Sequence, residues 1–319
     1  MNCKKLILLV NLGAPETLAL GSIRRFLRRF LSDKRVVPLT RLIWYPILFL
    51  IILPLRSKKL LHKYSLIWRQ DDSHPLVYYT QQQAKLLEQQ LASADVIVDY
   101  AFCYGLRPIA ERLAVHAPAK IEHLTVIPLY PQYSSTTSAS VFDQLSDYYK
   151  AVKDIPNLKI CHGFATHPDY LNAIATQIKN HWQQHGVGQH LLVSFHSIPV
   201  AVIDDGDCYF EECQASFAGI NEHLRDYGVA SQMVFQSKFG KAQWLEPATD
   251  REIIRLANSG VKILDVICPG FVSDCLETLE EVAISYRDLF IKHGGQELRY
   301  IPCPNDSKEF INVLAKLSS

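Results

Sequence analysis

A histidine and a row of carboxylates, each just past the end of an apolar run, are the groups through which this chain could do chemistry. His196 sits in Leu191-Leu192-Val193-Ser194-Phe195-His196-Ser197-Ile198-Pro199. The carboxylates follow Cys268-Pro269-Gly270-Phe271-Val272 and read Ser273-Asp274-Cys275-Leu276-Glu277-Thr278-Leu279-Glu280-Glu281. Near neutral pH an imidazole can accept a proton, donate one or bind a divalent metal. Carboxylates in the first turn of a helix are held ionised by its N-terminus, and a row of them can pass cations or protons. One histidine with one or two carboxylates makes a weak, open site for a transient metal such as Fe(II), unlike a closed cysteine-rich structural site. At about 100° per residue, Asp274, Glu277, Glu281 and Asp288 fall within one narrow wedge of a helix. The plain alternative is a surface helix with one solvated acidic face, and for His196 a hydrogen-bonded structural role.

Two further segments follow apolar runs and could wall a ligand. Leu129-Tyr130-Pro131-Gln132-Tyr133-Ser134-Ser135-Thr136-Thr137 offers two aromatic rings and a run of hydroxyls. Gln236-Ser237-Lys238-Phe239-Gly240-Lys241 continues through Trp244 to Thr249. Aromatic and hydroxyl groups together could grip a flat, conjugated molecule, though aromatics near strand ends also simply pack. No Gly-x-Gly-x-x-Gly or Walker pattern occurs in the chain, so neither segment is a phosphate loop.

The elements that must position these groups form a repeating pattern of apolar strand, loop and amphipathic helix. Strands are predicted at 6–12, 96–103, 124–130, 159–165, 191–196, 233–237, 263–268 and 298–302, with helices at 80–92, 168–185 and 250–258. The strands are continuous apolar runs rather than alternating ones, as parallel strands buried on both faces should be. The pattern therefore implies an α/β architecture with right-handed crossovers. Eight strands divide into two sets of four, giving domains over 1–166 and 167–319. Open α/β sheets bind ligands outside the carboxyl ends of their strands. His196 and the acidic helix are both expected there, in one cleft despite their separation in sequence.

A length of 319 residues is comfortable for two cores. The net charge of +1 hides an asymmetry: between Thr17 and Lys63 eleven Lys or Arg face the single acid Asp33, so this segment is +10 and the rest is −9. Within it, Leu42 to Leu55 is apolar, contains Pro46 and Pro54, and is flanked by Arg41, Arg56, Lys58 and Lys59. A membrane span needs about 20 apolar residues, so the choices are a buried helix or an apolar lip touching lipid or an amphipathic ligand. Each basic residue beside an anionic bilayer contributes about 1 kcal/mol, enough in sum for reversible peripheral contact. No nucleic-acid partner is expected. The eight cysteines include no Cys-x-x-Cys pair, which points to a reduced, cytoplasmic setting. The short apolar run after Lys4 and Lys5 reads as a first strand, not a signal peptide.

The ordered motifs resemble the ferrochelatase family, whose members insert ferrous iron into a porphyrin. The resemblance runs from Val10-Asn11-Leu12-Gly13-Ala14-Pro15-Glu16-Thr17 through Phe30-Leu31-Ser32-Asp33-Lys34-Arg35-Val36-Val37 and Pro128-Leu129-Tyr130-Pro131-Gln132-Tyr133-Ser134. It continues in the His196 motif, in Gln236-Ser237-Lys238-Phe239-Gly240, and in Asp274-Cys275-Leu276-Glu277-Thr278-Leu279-Glu280-Glu281. It implies two Rossmann-like, chelatase-type domains, each a four-stranded parallel sheet flanked by helices, with the active-site cleft between them. The lip at 17–63 would belong to the first domain, and the last helix would pack back on it.

By the same resemblance, His196 and Glu277 are the catalytic and iron-binding pair, with Asp274, Glu281 and Asp288 as a proton or metal path. Leu12, Arg56, Lys59, Tyr130, Ser197 and Trp244 would meet the porphyrin, the two basic residues at its propionates. The substrates would be Fe(II) and protoporphyrin IX, since coproporphyrin-using relatives have tyrosine where this chain has Leu12. No permanently bound cofactor and no iron–sulfur cluster are expected: Ser135 stands where animal-type relatives have a cysteine, and there is no C-terminal cysteine cluster. The alternatives are a coproporphyrin III ferrochelatase, a cobalt or nickel tetrapyrrole chelatase, and a non-catalytic two-lobed haem- or solute-binding protein.

Overall fold

The computed structural model describes residues 4–240 and 242–319, so the readings at Cys3 and Lys241 lie outside the described residues. The strands are β1 (Lys5–Asn11), β2 (Val96–Phe102), β3 (His123–Pro128) and β4 (Asn157–Ile160), then β5 (His190–His196), β6 (Ala230–Gln236), β7 (Ile263–Ile267) and β8 (Glu297–Ile301). They form two all-parallel sheets with orders β2-β1-β3-β4 and β6-β5-β7-β8. The central strands β1 and β5 are apolar almost throughout and buried on both faces, as their sequences require. Helices cover the sheets, among them Pro168–His185, the range predicted from its pattern.

The chain divides into two compact units. The first comprises Met1–Tyr130, Ser134–Gly163 and Ile311–Ser319; the second comprises Pro131–Tyr133 and Phe164–Phe310. The run expected as one strand over 159–165 is split. β4 is short, exposed and at the sheet edge, while Phe164 and Ala165 are buried in the second unit.

The two sheets share one strand order, and that order locates their ligand crevices. In each, the first strand lies between the second and the third, so the connections leaving the first and third strands depart on opposite sides. A crevice opens where they part, at the carboxyl ends. In the first unit it falls between β1 and β3, at Leu12 and Tyr130. In the second it falls between β5 and β7, at His196 and the loop that leads to Glu277.

The first unit carries the basic, apolar segment. α1 (Leu20–Leu31) is followed by α2 (Arg41–Ile47), a π-helical turn at Leu48–Ile52 and α3 (Leu53–Ile67) in one continuous helix. Pro46 and Pro54 have no N–H to donate, which frees carbonyls one turn back and loosens the helix between them. Trp44, Leu48 and Leu53 are buried, but Leu42, Leu50 and Leu55 are 91%, 76% and 71% exposed. The segment is therefore not a fully buried helix.

A buried histidine begins the next helix, α4 (Pro75–Leu91). His74 Nδ1 accepts the Leu76 N–H at 3.2 Å, and the ring packs edge-on against Tyr64 and Trp68. Burial depresses its pKa to about 3. Among the described residues the cysteines are free thiols, with Cys103, Cys213, Cys268, Cys275 and Cys303 buried.

Candidate functional site

His196 ends β5 directly beside Gln236, the last residue of β6. Its Nδ1 lies 2.7 Å from the Ser197 carbonyl oxygen. A carbonyl only accepts, so Nδ1 carries a proton, and in the neutral ring the lone pair is on Nε2. The Tyr209 hydroxyl donates to the His196 carbonyl at 2.9 Å, and the Phe271 ring stands edge-on at 6.3 Å. The imidazole is thus fixed in tautomer and half-buried at the sheet rim. Ser197 is fully buried, its hydroxyl donating to the Leu245 carbonyl at 3.2 Å.

The acidic stretch after β7 is not the α-helix assumed in the wedge reading. Glu277–Tyr286 is π-helical and runs into an α-helix at Arg287–Lys292. A π-helix bonds five residues ahead and winds more widely, so the 100° wheel does not apply to it. The four carboxylates accordingly meet different surroundings. Glu277 is half-buried at the start of the π-helix. Its backbone carbonyl accepts the Gln236 side-chain amide at 2.8 Å, which ties the start of the helix to the strand next to His196.

Glu281 lies one turn further on and its carboxylate is held on both oxygens. The Ser237 N–H donates at 3.0 Å, the Tyr286 hydroxyl at 2.8 Å, and the Ser237 hydroxyl closes the second oxygen. Ser237 reaches this position with φ at +65°, a left-handed conformation that costs a non-glycine residue energy. Burial raises the Glu281 pKa above the ordinary carboxylate value; the donors and His196 oppose that and Glu277 adds to it.

Asp274 precedes the π-helix and is buried, with its carboxylate filled by structural donors. The Tyr300 hydroxyl lies at 2.5 Å, the Asn305 amide at 2.7 Å and the Thr278 hydroxyl at 3.2 Å. The Asp274 N–H returns to Asn305 Oδ1 at 2.8 Å, so the two residues clamp each other. Asp288 stands apart on the exposed surface, paired with Arg287 at 3.0 Å. Trp244 is half-buried and forms a bridge to Pro199, three residues beyond His196, with its indole N–H buried and without a protein acceptor.

The residues singled out in the first unit lie at its own crevice and lip. Leu12 is half-buried after β1, its N–H donating to Asn11 Oδ1 at 2.8 Å. Next to it Gly13 has φ at +97°, and a Cβ there would come within 1.8 Å of the Tyr104 carbonyl oxygen, so no other residue fits. The Tyr130 hydroxyl is buried beside the Cys103 thiol, and burial pushes its pKa well up. Arg56 and Lys59 sit on α3, Arg56 half-buried with its pKa lowered by burial and Lys59 exposed.

Residues that hold the site escaped the sequence reading. Tyr286, Tyr300 and Asn305 bind the carboxylates, and Gln236 was read only as a wall. Asn305 does lie just past the carboxyl end of a predicted strand, the signal that exposes His196, whereas Tyr300 lies within that strand. Nothing in the sequence says which carboxylate they would reach.

The family model described as Ferrochelatase matches residues 4–319. The ferrochelatase of Proteus mirabilis is 42% identical over 308 residues, 97% of this chain and 95% of that protein. That of Photobacterium profundum is 42% identical over 98% of this chain and 95% of its own. Among solved structures, SirB from Bacillus subtilis with Fe3+ superimposes with a TM-score of 0.57 at 11% identity, covering 99% of this chain and 96% of that one. At that identity the likeness concerns the fold alone.

Proposed function

The chain belongs to the ferrochelatase family and is a lyase that inserts ferrous iron into a porphyrin, and we propose that His196 and Glu277 carry out the insertion, on protoporphyrin IX. Insertion exchanges two pyrrole N–H protons for one Fe(II), so the site must remove two protons and deliver one dication. The observation that carries this reading is the His196 tautomer. With Nδ1–H committed to the Ser197 carbonyl, the Nε2 lone pair is the group free to take a pyrrole proton, a role worth about 10²–10⁴-fold. Glu277 receives iron or passes the released protons, and Glu281 lies behind it. Asp274, filled by Tyr300, Asn305 and Thr278, secures the helix start rather than extending the path. Asp288 lies at the far, solvent end of that path.

Among the described residues no three His, Cys, Asp or Glu side chains converge as a metal cage. Two protein donors suffice for a metal on its way to a ring that supplies four nitrogens. A flat ring must also be bent to expose those nitrogens, at a strain of about 1–5 kcal/mol drawn from remote contacts. We assign such contacts to Ser197 and Trp244 in the second unit, and to Leu12 and Tyr130 in the first, with Arg56 and Lys59 at the propionates. Leu12 and the exposed lip leucines support protoporphyrin over a more carboxylated ring.

No helix of the described residues is long and apolar enough to cross a membrane. The exposed Leu42, Leu50 and Leu55 beside Lys58 and Lys59 support peripheral contact with an anionic bilayer on the cytoplasmic side. The protein is proposed to work without a resident cofactor or iron–sulfur cluster; cluster absorbance in the anaerobically purified chain would overturn this.

The decisive assay supplies Fe(II) and protoporphyrin IX under anaerobic conditions and follows the absorbance change of metallation. His196→Ala is expected to abolish turnover while porphyrin quenching of intrinsic fluorescence persists. Normal turnover in that variant would remove His196 from the mechanism.

A further inference from the structure

His196 and Glu277 come from different strand–helix connections, so their relative position depends on whatever joins the end of β6 to the start of the π-helix. Ser237 reaches Glu281 one turn along the helix, and Gln236 makes the join at its start. Gln236 is fully buried and lies opposite His196 in the sheet register. Its backbone carbonyl accepts the Ser197 N–H at 2.8 Å, fixing the chain just after the histidine. Its side-chain amide donates to the Glu277 carbonyl at 2.8 Å.

The orientation of that amide is over-determined. Gln236 Oε1 accepts the Ser194 hydroxyl at 2.8 Å and faces the Cys268 thiol at 3.2 Å. Both neighbours have a hydrogen to give, so the oxygen must face them and the NH2 must face Glu277. Ser194 has a single hydroxyl hydrogen, and that is committed to Gln236. The contact of 2.9 Å between Ser194 and Thr249 is therefore donated by Thr249. The three hydroxyl and amide groups form one directed chain, Thr249 to Ser194 to Gln236 to the Glu277 carbonyl. Ser194, Gln236 and Thr249 are all fully buried, where a broken link leaves a dry, unpaired group.

We propose that Gln236 is a positioning residue for iron insertion: through this chain it sets the start of the π-helix, and hence Glu277, relative to His196. The inference rests on the reading of His196 and Glu277 as the insertion pair. Gln236 touches neither metal nor ring; it acts by holding two groups that do. Its loss therefore lowers kcat and leaves porphyrin binding in place, because displacement of a reacting group by about 1 Å costs up to about 10²-fold in rate.

The test uses the whole chain with Fe(II) and protoporphyrin IX. Gln236→Met keeps the side-chain length and removes donor and acceptor; kcat is expected to fall about 10- to 100-fold with KM for protoporphyrin unchanged. Ser194→Ala leaves Gln236 in place but releases its oxygen, and should give a smaller loss of kcat with the same unchanged KM. The double variant should lose no more than Gln236→Met alone, since both act through one chain. Parental kcat in Gln236→Met, a loss confined to KM, or additive losses in the double variant would overturn the proposal. If Gln236→Met fails to fold, Ser194→Ala decides, and parental kcat there rejects the chain. His196→Ala and Glu277→Gln are run alongside. If those two retain turnover, the insertion pair itself is wrong; if they lose it while Gln236→Met does not, only the positioning role is.

Discussion

The two units repeat one strand order and fill their crevices with different chemistry. At the β1–β3 crevice stand an aliphatic residue, a glycine that no other residue can replace, and a buried tyrosine hydroxyl beside a thiol. At the β5–β7 crevice stand an imidazole with a fixed tautomer and a π-helix carrying Glu277 and Glu281. The scaffold supplies the place and the residues after each strand supply the reaction. Duplicate architecture thus carries apolar and aromatic groups at one crevice and an imidazole with carboxylates at the other, the contrast on which the proposed roles rest. The π-helical segments differ in the same way. The one in the lip follows from two prolines in its own sequence, whereas the one after β7 contains no proline and is tied down by Gln236 and Ser237 from another strand.

That division is tested most strongly by substitutions that should split kcat from KM. Glu277→Gln keeps the side chain and removes its charge; kcat should fall about 10²-fold or more with porphyrin affinity intact, and a change in affinity alone would erase the contrast. Next in size is a difference in titration. His74, in the first unit, has a pKa depressed from 6.5 to about 3. Its contribution to stability is full above 6.5 and is lost as pH falls towards 3, by about 5 kcal/mol at most over that window. His74→Asn can still cap α4 and should flatten the fall in Tm across this range without changing kcat at neutral pH. An unchanged acid profile would place the acid-labile point elsewhere.

A smaller effect is expected at Leu12. Leu12→Tyr should shift the ratio of kcat/KM values for coproporphyrin III over protoporphyrin IX by about tenfold, and an unmoved ratio would separate ring choice from this crevice. Smallest is the lip. Leu42 and Leu50 are more exposed than Phe49, so replacing both with Ser should reduce partitioning onto anionic liposomes about fivefold. Equal partitioning would leave the lip without a membrane role.

The strands and the long helix at 168–185 could be read from sequence because apolar runs and helical periodicity are local signals. The placement of His196 and of the acidic stretch past strand ends could be read because open α/β sheets form their crevices at the carboxyl ends of the strands. The rest depended on contacts distant in sequence. The π-helix is held by donors at and just past the end of β6, so a wheel drawn on the local residues puts Asp274, Glu277, Glu281 and Asp288 in one wedge. In the structure Asp274 is clamped, Glu281 is cradled and Asp288 is exposed, surroundings that no local wheel distinguishes. The run at 159–165 misled for a similar reason: its apolar residues serve two different cores, and only the first few join the sheet.

The buried thiols supply a clock. Cys268 and Cys275 lie in the loop that carries Asp274 and leads to Glu277, and Cys303 lies in the loop after β8, its N–H reaching Asp274. Burial keeps all three protonated, since it pushes each well above its ordinary range. An alkylating reagent can modify them only when those loops open, so the rate of their labelling times the opening of the second unit without any added probe, read against half-buried Cys208 as the early-reacting reference.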